Sequence, residues 1–105
     1  MSEARIEALR DLIARNPQDA LSRYMLGIEL YRQGRYEEAA TEIEAYLAMK
    51  QDEGAAYRVL ADAYLHLGRP KEARWALRQG AEAARAHHHE GMAEEFEERI
   101  AELDG

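Results

Sequence analysis

The chain repeats itself. Laying residues 20–53 over residues 54–87, a shift of 34, places Leu26 on Leu60, Gly27 on Ala61 and Leu30 on Tyr64. The same shift places Gly34 on Gly68, Arg35 on Arg69, Glu38 on Glu72, Ala39 on Ala73 and Ile43 on Leu77. A period of this length marks stacked supersecondary units, each of which buries its apolar face only against a neighbour. The small residues carry most of the information. Gly27 and Ala61 allow two helices to approach closely, and Ala39 and Ala73 do so from the partner helix. Gly34 and Gly68 fit helix stops, where a left-handed residue closes the last turn.

The periodicity predicts six helices, over residues 3–15, 20–33, 36–49, 53–67, 70–86 and 90–103. They are joined by short connections of the kind helix hairpins use. Asn16-Pro17-Gln18-Asp19 breaks one helix and restarts the next, with Asp19 as its N-cap. Pro70 falls in the first turn of the fifth helix, where its missing N–H costs nothing. Ahead of Pro17, Ile6, Leu9, Leu12 and Ile13 form one apolar stripe. The first segment therefore reads as the second half of a repeat that lacks its first half. No stretch alternates with period two for long enough to suggest a strand.

The pattern Leu26-Gly27…Leu30…Gly34-Arg35-Tyr36-Glu37-Glu38-Ala39 resembles a tetratricopeptide repeat. Leu60-Ala61…Tyr64…Gly68-Arg69-Pro70-Lys71-Glu72-Ala73 resembles it again at the same spacing. The resemblance covers roughly residues 4–86. It implies an all-α fold, a right-handed superhelical stack of antiparallel helix pairs whose first helices line a concave groove. It also implies a protein-binding scaffold. The expected layout is one domain over 1–105: a half-repeat helix in 1–19, repeats in 20–53 and 54–87, and a capping helix in 88–105. The sequence departs from the family pattern in places. Arg23 stands where a bulky aromatic is usual, as Tyr57 does in the second repeat. Tyr46 stands where a small residue is usual. Gln51 replaces the closing proline of the first full repeat, and the second lacks it.

Composition narrows the function classes. Apolar residues make up 47% and charged residues 33%, a globular balance. A net charge of −7 argues against nucleic-acid binding, which depends on neutralising phosphates. No apolar run is long enough to span a membrane, and no signal peptide is visible, so the expected location is cytoplasmic. The absence of cysteine excludes disulfides, thiol catalysis and cysteine zinc sites. Serine and threonine are scarce and have no histidine nearby in the predicted layout, and no glycine-rich phosphate loop occurs. An enzyme is not expected, nor a cofactor.

Several surfaces remain as candidates. On the second helix Leu21, Tyr24, Ile28 and Tyr31 form an apolar stripe beyond the one the repeat needs for its core. It is either covered by neighbouring helices or open as a groove wall. On the fourth helix the corresponding face is mixed, with Arg58, Asp62, Leu65 and His66. Arg58 is its single match to the carboxylate-binding groove of chaperone-tail readers in this family, so that ligand is not expected. Residues 54–86 hold 6 bases against 3 acids, whereas 87–105 hold 7 acids against 1 base. The bases pair with the glutamates of the last helix, remain solvated, or receive an acidic partner. Trp75 is placed on the outward side of its helix, resting on arginine stems or acting as a hot spot. Met92, Phe96, Ile100 and Leu103 give the last helix one apolar face, suited to closing the stack or to packing on a second chain. His87, His88 and His89 read as a solvated linker, since three consecutive helical residues cannot converge on one ion. The sequence thus points to a non-catalytic module that binds a protein or peptide segment, with homodimer formation as the alternative.

Overall fold

The structure is a computed structural model that describes residues 2–105, with side chains from residue 3. Its described residues form six α-helices and no strand: α1 (Ser2–Arg15), α2 (Ala20–Arg32), α3 (Tyr36–Met49), α4 (Ala55–His66), α5 (Pro70–Ala86) and α6 (Glu90–Asp104). The all-helical expectation holds, and helix ends fall within two residues of their predicted places. The chain divides into two compact units, one running to Lys50 and the other from Gln51.

In the first unit α2 packs against both α1 and α3. Ile6, Leu9, Leu26, Leu30 and Ala39 form its core, with Ile13, Met25 and Tyr31 packed alongside. Each large aliphatic side chain taken fully out of water here contributes roughly 1.5–3 kcal/mol. Leu12, expected in the same stripe of α1 as Ile6 and Leu9, is 46% exposed. Asp19 caps α2 as expected, accepting from the Ser22 amide at 3.0 Å and from the Ser22 hydroxyl at 2.6 Å. Those bonds hold its carboxyl below the usual aspartate range.

In the second unit α5 packs against both α4 and α6. Leu60, Ala61, Tyr64, Ala73, Leu77 and Phe96 are buried. Shifting Asp19 by 34 lands on Glu53, yet the side chain that serves the start of α4 is Asp52. It accepts from the amides of Gly54 at 2.8 Å and Ala56 at 2.9 Å. Gly54, at φ 134°, provides the backbone bend between them.

Three helices stop in the same way. After α2 the Arg35 amide donates to Leu30 O and the Gly34 amide to Tyr31 O. After α4 the Arg69 amide donates to Tyr64 O and the Gly68 amide to Leu65 O. After α5 the His89 amide donates to Ala84 O and the His88 amide to Arg85 O. Each pair of bonds closes the helix around one left-handed residue. Gly34 and Gly68 fill that place at φ 75° and 72°, and His88 fills it at φ 63°.

Candidate partner-binding faces

The expected face of α2 has a graded exposure. Leu21 is 64% exposed, and Tyr24, Ile28 and Tyr31 are partly buried. α3 braces both tyrosines. The Tyr24 ring lies 4.9 Å from that of Tyr46 at 36°, and the Tyr31 ring meets that of Tyr36 edge-on at 5.4 Å. Aromatic pairs at these separations hold their rings in place. Tyr46 and Tyr36 were not among the expected site residues. Tyr46, which stands where the family has a small residue, supports the Tyr24 ring from α3.

The corresponding face of α4 differs. Arg58 donates through Nε and Nη2 to the Glu95 carboxylate of α6 at 2.8 and 2.7 Å. It also lies 5.6 Å over the Phe96 ring. Arg99 of α6 bonds Asp62. The Arg58 guanidinium holds the Glu95 carboxyl below its ordinary range. Both charged residues expected on this face are therefore engaged within the unit. Leu65 and His66 are exposed, and with Asp62 they line a shallow hollow.

The two units handle equivalent positions differently. Tyr24 and Tyr46 correspond, at the shift of 34, to Arg58 and Gly80. In the first unit the ring at the second position comes from the repeat itself. In the second unit Gly80 has no side chain, and the ring is Phe96 of α6, set beneath Arg58. The apolar face of α6 packs against α5. Phe96 is fully buried, while Met92, Ile100 and Leu103 are partly so.

Arg23, standing where an aromatic is usual, reaches Pro17 O at 3.2 Å and Glu42 Oε1 at 3.4 Å. It ties the turn before α2 to α3. Glu29, on the buried side of α2, pairs with Arg5 of α1 at 3.2 Å.

The basic residues of the second unit pair with acids of α6 at several points. Arg58 takes Glu95, Arg85 takes Glu97, and Arg74 takes Asp104 at 2.7 and 2.8 Å. Asp104 was not foreseen as a partner. Trp75 faces outward, half exposed.

The histidine tract is the exposed connection between α5 and α6, as expected, and it also shapes both helix ends. His87 is the C-cap of α5, His88 its left-handed stop and His89 the N-cap of α6. The His87 ring contacts Ala83 O at 2.9 Å, and the His89 ring contacts Glu53 at 2.7 Å. Among the described residues no group of histidines and carboxylates converges on a point that could hold a metal ion. The Ser22 and Thr41 hydroxyls bond Asp19 and the Glu37 carbonyl, serving their own helices. No helix among the described residues is long and apolar enough to cross a membrane.

Comparison with curated proteins finds no match. A family model described as tetratricopeptide repeat matches residues 2–42 and 24–89, spanning five helices and most of the chain. Repeats of this kind generally mediate protein–protein interaction and are typically non-catalytic. By its sequence match, its glycine-closed turns and its antiparallel helix pairs, the chain belongs to the tetratricopeptide repeat family.

Proposed function

We propose that the chain is a non-catalytic interaction module that takes a protein or peptide segment on the exposed apolar face of α2. Leu21, Tyr24, Ile28 and Tyr31 are its contact residues. The observation that carries this reading is Leu21, 64% exposed, in line with two partly buried tyrosines braced from α3. Braced tyrosines offer large apolar area and lose little rotamer freedom on binding. The spacing of the four residues suits a helical or extended segment laid along the helix. In the second unit, Leu65 and His66 are the exposed contacts of the α4 face. Arg58 and Asp62 would have to exchange Glu95 and Arg99 for a ligand.

The test is affinity capture from the source cell with the full chain as bait. The Leu21→Glu and Tyr24→Ala/Tyr31→Ala variants serve as comparison, each checked for unchanged helical circular dichroism. The reading expects one set of proteins lost from both variants. Capture that is indifferent to both removes the α2 face. Sedimentation over a concentration series separates this from a homodimer, which would form through the same stripe or through α6.

A further inference from the structure

Every connection between helices but one holds a glycine or a proline. Pro17 lies between α1 and α2, Gly34 between α2 and α3, Gly54 between α3 and α4, and Gly68 between α4 and α5. Between α5 and α6 stand His87, His88 and His89. Histidine is an ordinary helix residue, less favourable than alanine but far from proline. No residue after Pro70 therefore stops a helix from running through to Asp104, and Gly80 and Gly91 already sit inside α5 and α6.

One left-handed residue holds the turn. His88, at φ 63°, occupies the place that Gly34 and Gly68 fill elsewhere, and a side chain there is strained. The His87 amide already donates to Ala83 O, as the next residue of an α-helix does. Moving His88 and His89 to helical backbone carries that ladder on into α6. The losses are the two bonds of the turn, which the ladder replaces, and the contact of the His89 ring with Glu53. Both partners of that contact are exposed, so it is worth little.

What α6 brings to the second unit is carried on its own side chains. Phe96 lies against Gly80, Glu95 takes Arg58, and Arg99 takes Asp62. The same helix from another copy supplies all of them. We propose that α6 exchanges between two copies of the chain. In the exchanged pair α5 and α6 run as one helix from Pro70 to Asp104, and each core takes Phe96 from the other copy. The contacts of α6 are kept, and the strain at His88 is released once per copy. Short connections under strain favour such an exchange. In the single chain the tether holds α6 at an effective concentration of about millimolar, so dilute protein stays monomeric. Phe96 must leave a fully buried site before α6 can change partners, so the two forms interconvert slowly. The residues of the α2 face take no part, and the exchange does not depend on that reading.

The test is refolding of the full chain from urea at about 1 mM and at about 10 µM, followed by sedimentation. The dense sample should hold a dimer that persists for a time on dilution, and the dilute sample a monomer. His88→Gly relaxes the turn and disfavours the long helix, so it should need about tenfold more protein to dimerise. His88→Ala keeps the strain and favours the helix, so it should dimerise more readily than the parent.

Arg58→Glu and Glu95→Arg separate exchange from every other pairing. Each alone sets like charges face to face, within one copy and between identical copies. Refolded together they can form an exchanged pair in which both contacts join opposite charges. The mixture should dimerise at about tenfold lower concentration than either variant alone. Leu21→Glu should dimerise as the parent does. A monomer in the dense sample, a His88→Gly variant that dimerises as readily as His88→Ala, or a mixture no better than its parts would overturn the proposal. A dimer lost in Leu21→Glu would also overturn it, assigning the contact to the α2 stripe.

Discussion

Gly80 and Phe96 stand so close that a Cβ on the glycine would lie 2.7 Å from Cε2 of the ring. The same atom would lie 2.9 Å from the Cβ of Tyr57 on α4. One hydrogen atom on α5 is thus what lets α4 and α6 both close on it. Tyr57 Cβ is anchored to backbone and Phe96 is fully buried, so neither can give way easily.

Gly80→Ala should therefore lose stability. The helix propensity of alanine favours it by about 1 kcal/mol, but overpacking costs about 1–3 kcal/mol and decides the sign. Gly91 on α6 has nothing near the place of its Cβ, so Gly91→Ala should gain up to about 1 kcal/mol. Urea denaturation of the two variants checks the pair. Equal effects of the same sign would refute the close approach.

Phe96→Ala removes the ring that fills the space above Gly80 and carries Arg58. A buried Phe replaced by Ala costs about 3–5 kcal/mol, a large share of the stability of a small domain. Trp75 lies in the same unit, and its emission should follow the loss at lower denaturant. A change under 1 kcal/mol, the size of a surface substitution, would mean α6 does not close the unit.

His88→Gly should raise stability. A non-glycine residue in the left-handed region costs about 1–2 kcal/mol, and glycine's greater freedom in the unfolded chain returns part of that. The expected gain is up to about 1 kcal/mol. Gly34→Ala and Gly68→Ala should each lose a similar amount from backbone strain alone, since neither glycine has an atom within 4 Å of its Cβ site. Thermal melts of the three variants test whether the turn after α5 obeys the rule of the other two.

Stability should fall on the acid side. The Glu38 carboxyl is held below 4.5 chiefly by its hydrogen bond from Arg35, Glu95 by Arg58 and Glu53 by His89; Arg74 holds Asp104 below 3.8. A carboxyl whose folded pKa is depressed stabilises the fold at pH above its unfolded value. That contribution is lost as pH falls through the unfolded value towards the folded one. Denaturation midpoints should be flat from pH 7 to about 5 and decline below that. Glu95→Gln should make the decline shallower. A midpoint that holds steady to pH 3 would count against these pairs.

Much of the local structure was legible in the residues. Gly34 and Gly68 marked helix stops because a left-handed turn needs a residue without Cβ. Asp19 marked a helix start because its carboxylate reaches the amides of the first turn. Gly27 marked a close approach, and a Cβ there would lie 2.5 Å from Ile43 Cδ1. These signals act over one or two turns of helix, or recur at the repeat interval.

What escaped the sequence depends on which helix lies across from which. The residues left Arg58 open to a ligand or to a glutamate of the last helix, and α6 brings it Glu95; Asp62 looked open, but α6 brings it Arg99. The histidine tract is the solvated link the sequence suggested, but the left-handed stop at His88 was not legible, because no glycine marks it. Helix faces, turns and the repeat follow from spacing along the chain, because each depends on neighbours within a few residues. The ring of Phe96 over Gly80, and the charges that α6 lays on α4, arise from residues far apart in the chain. Only the packing of three helices around one another decides them.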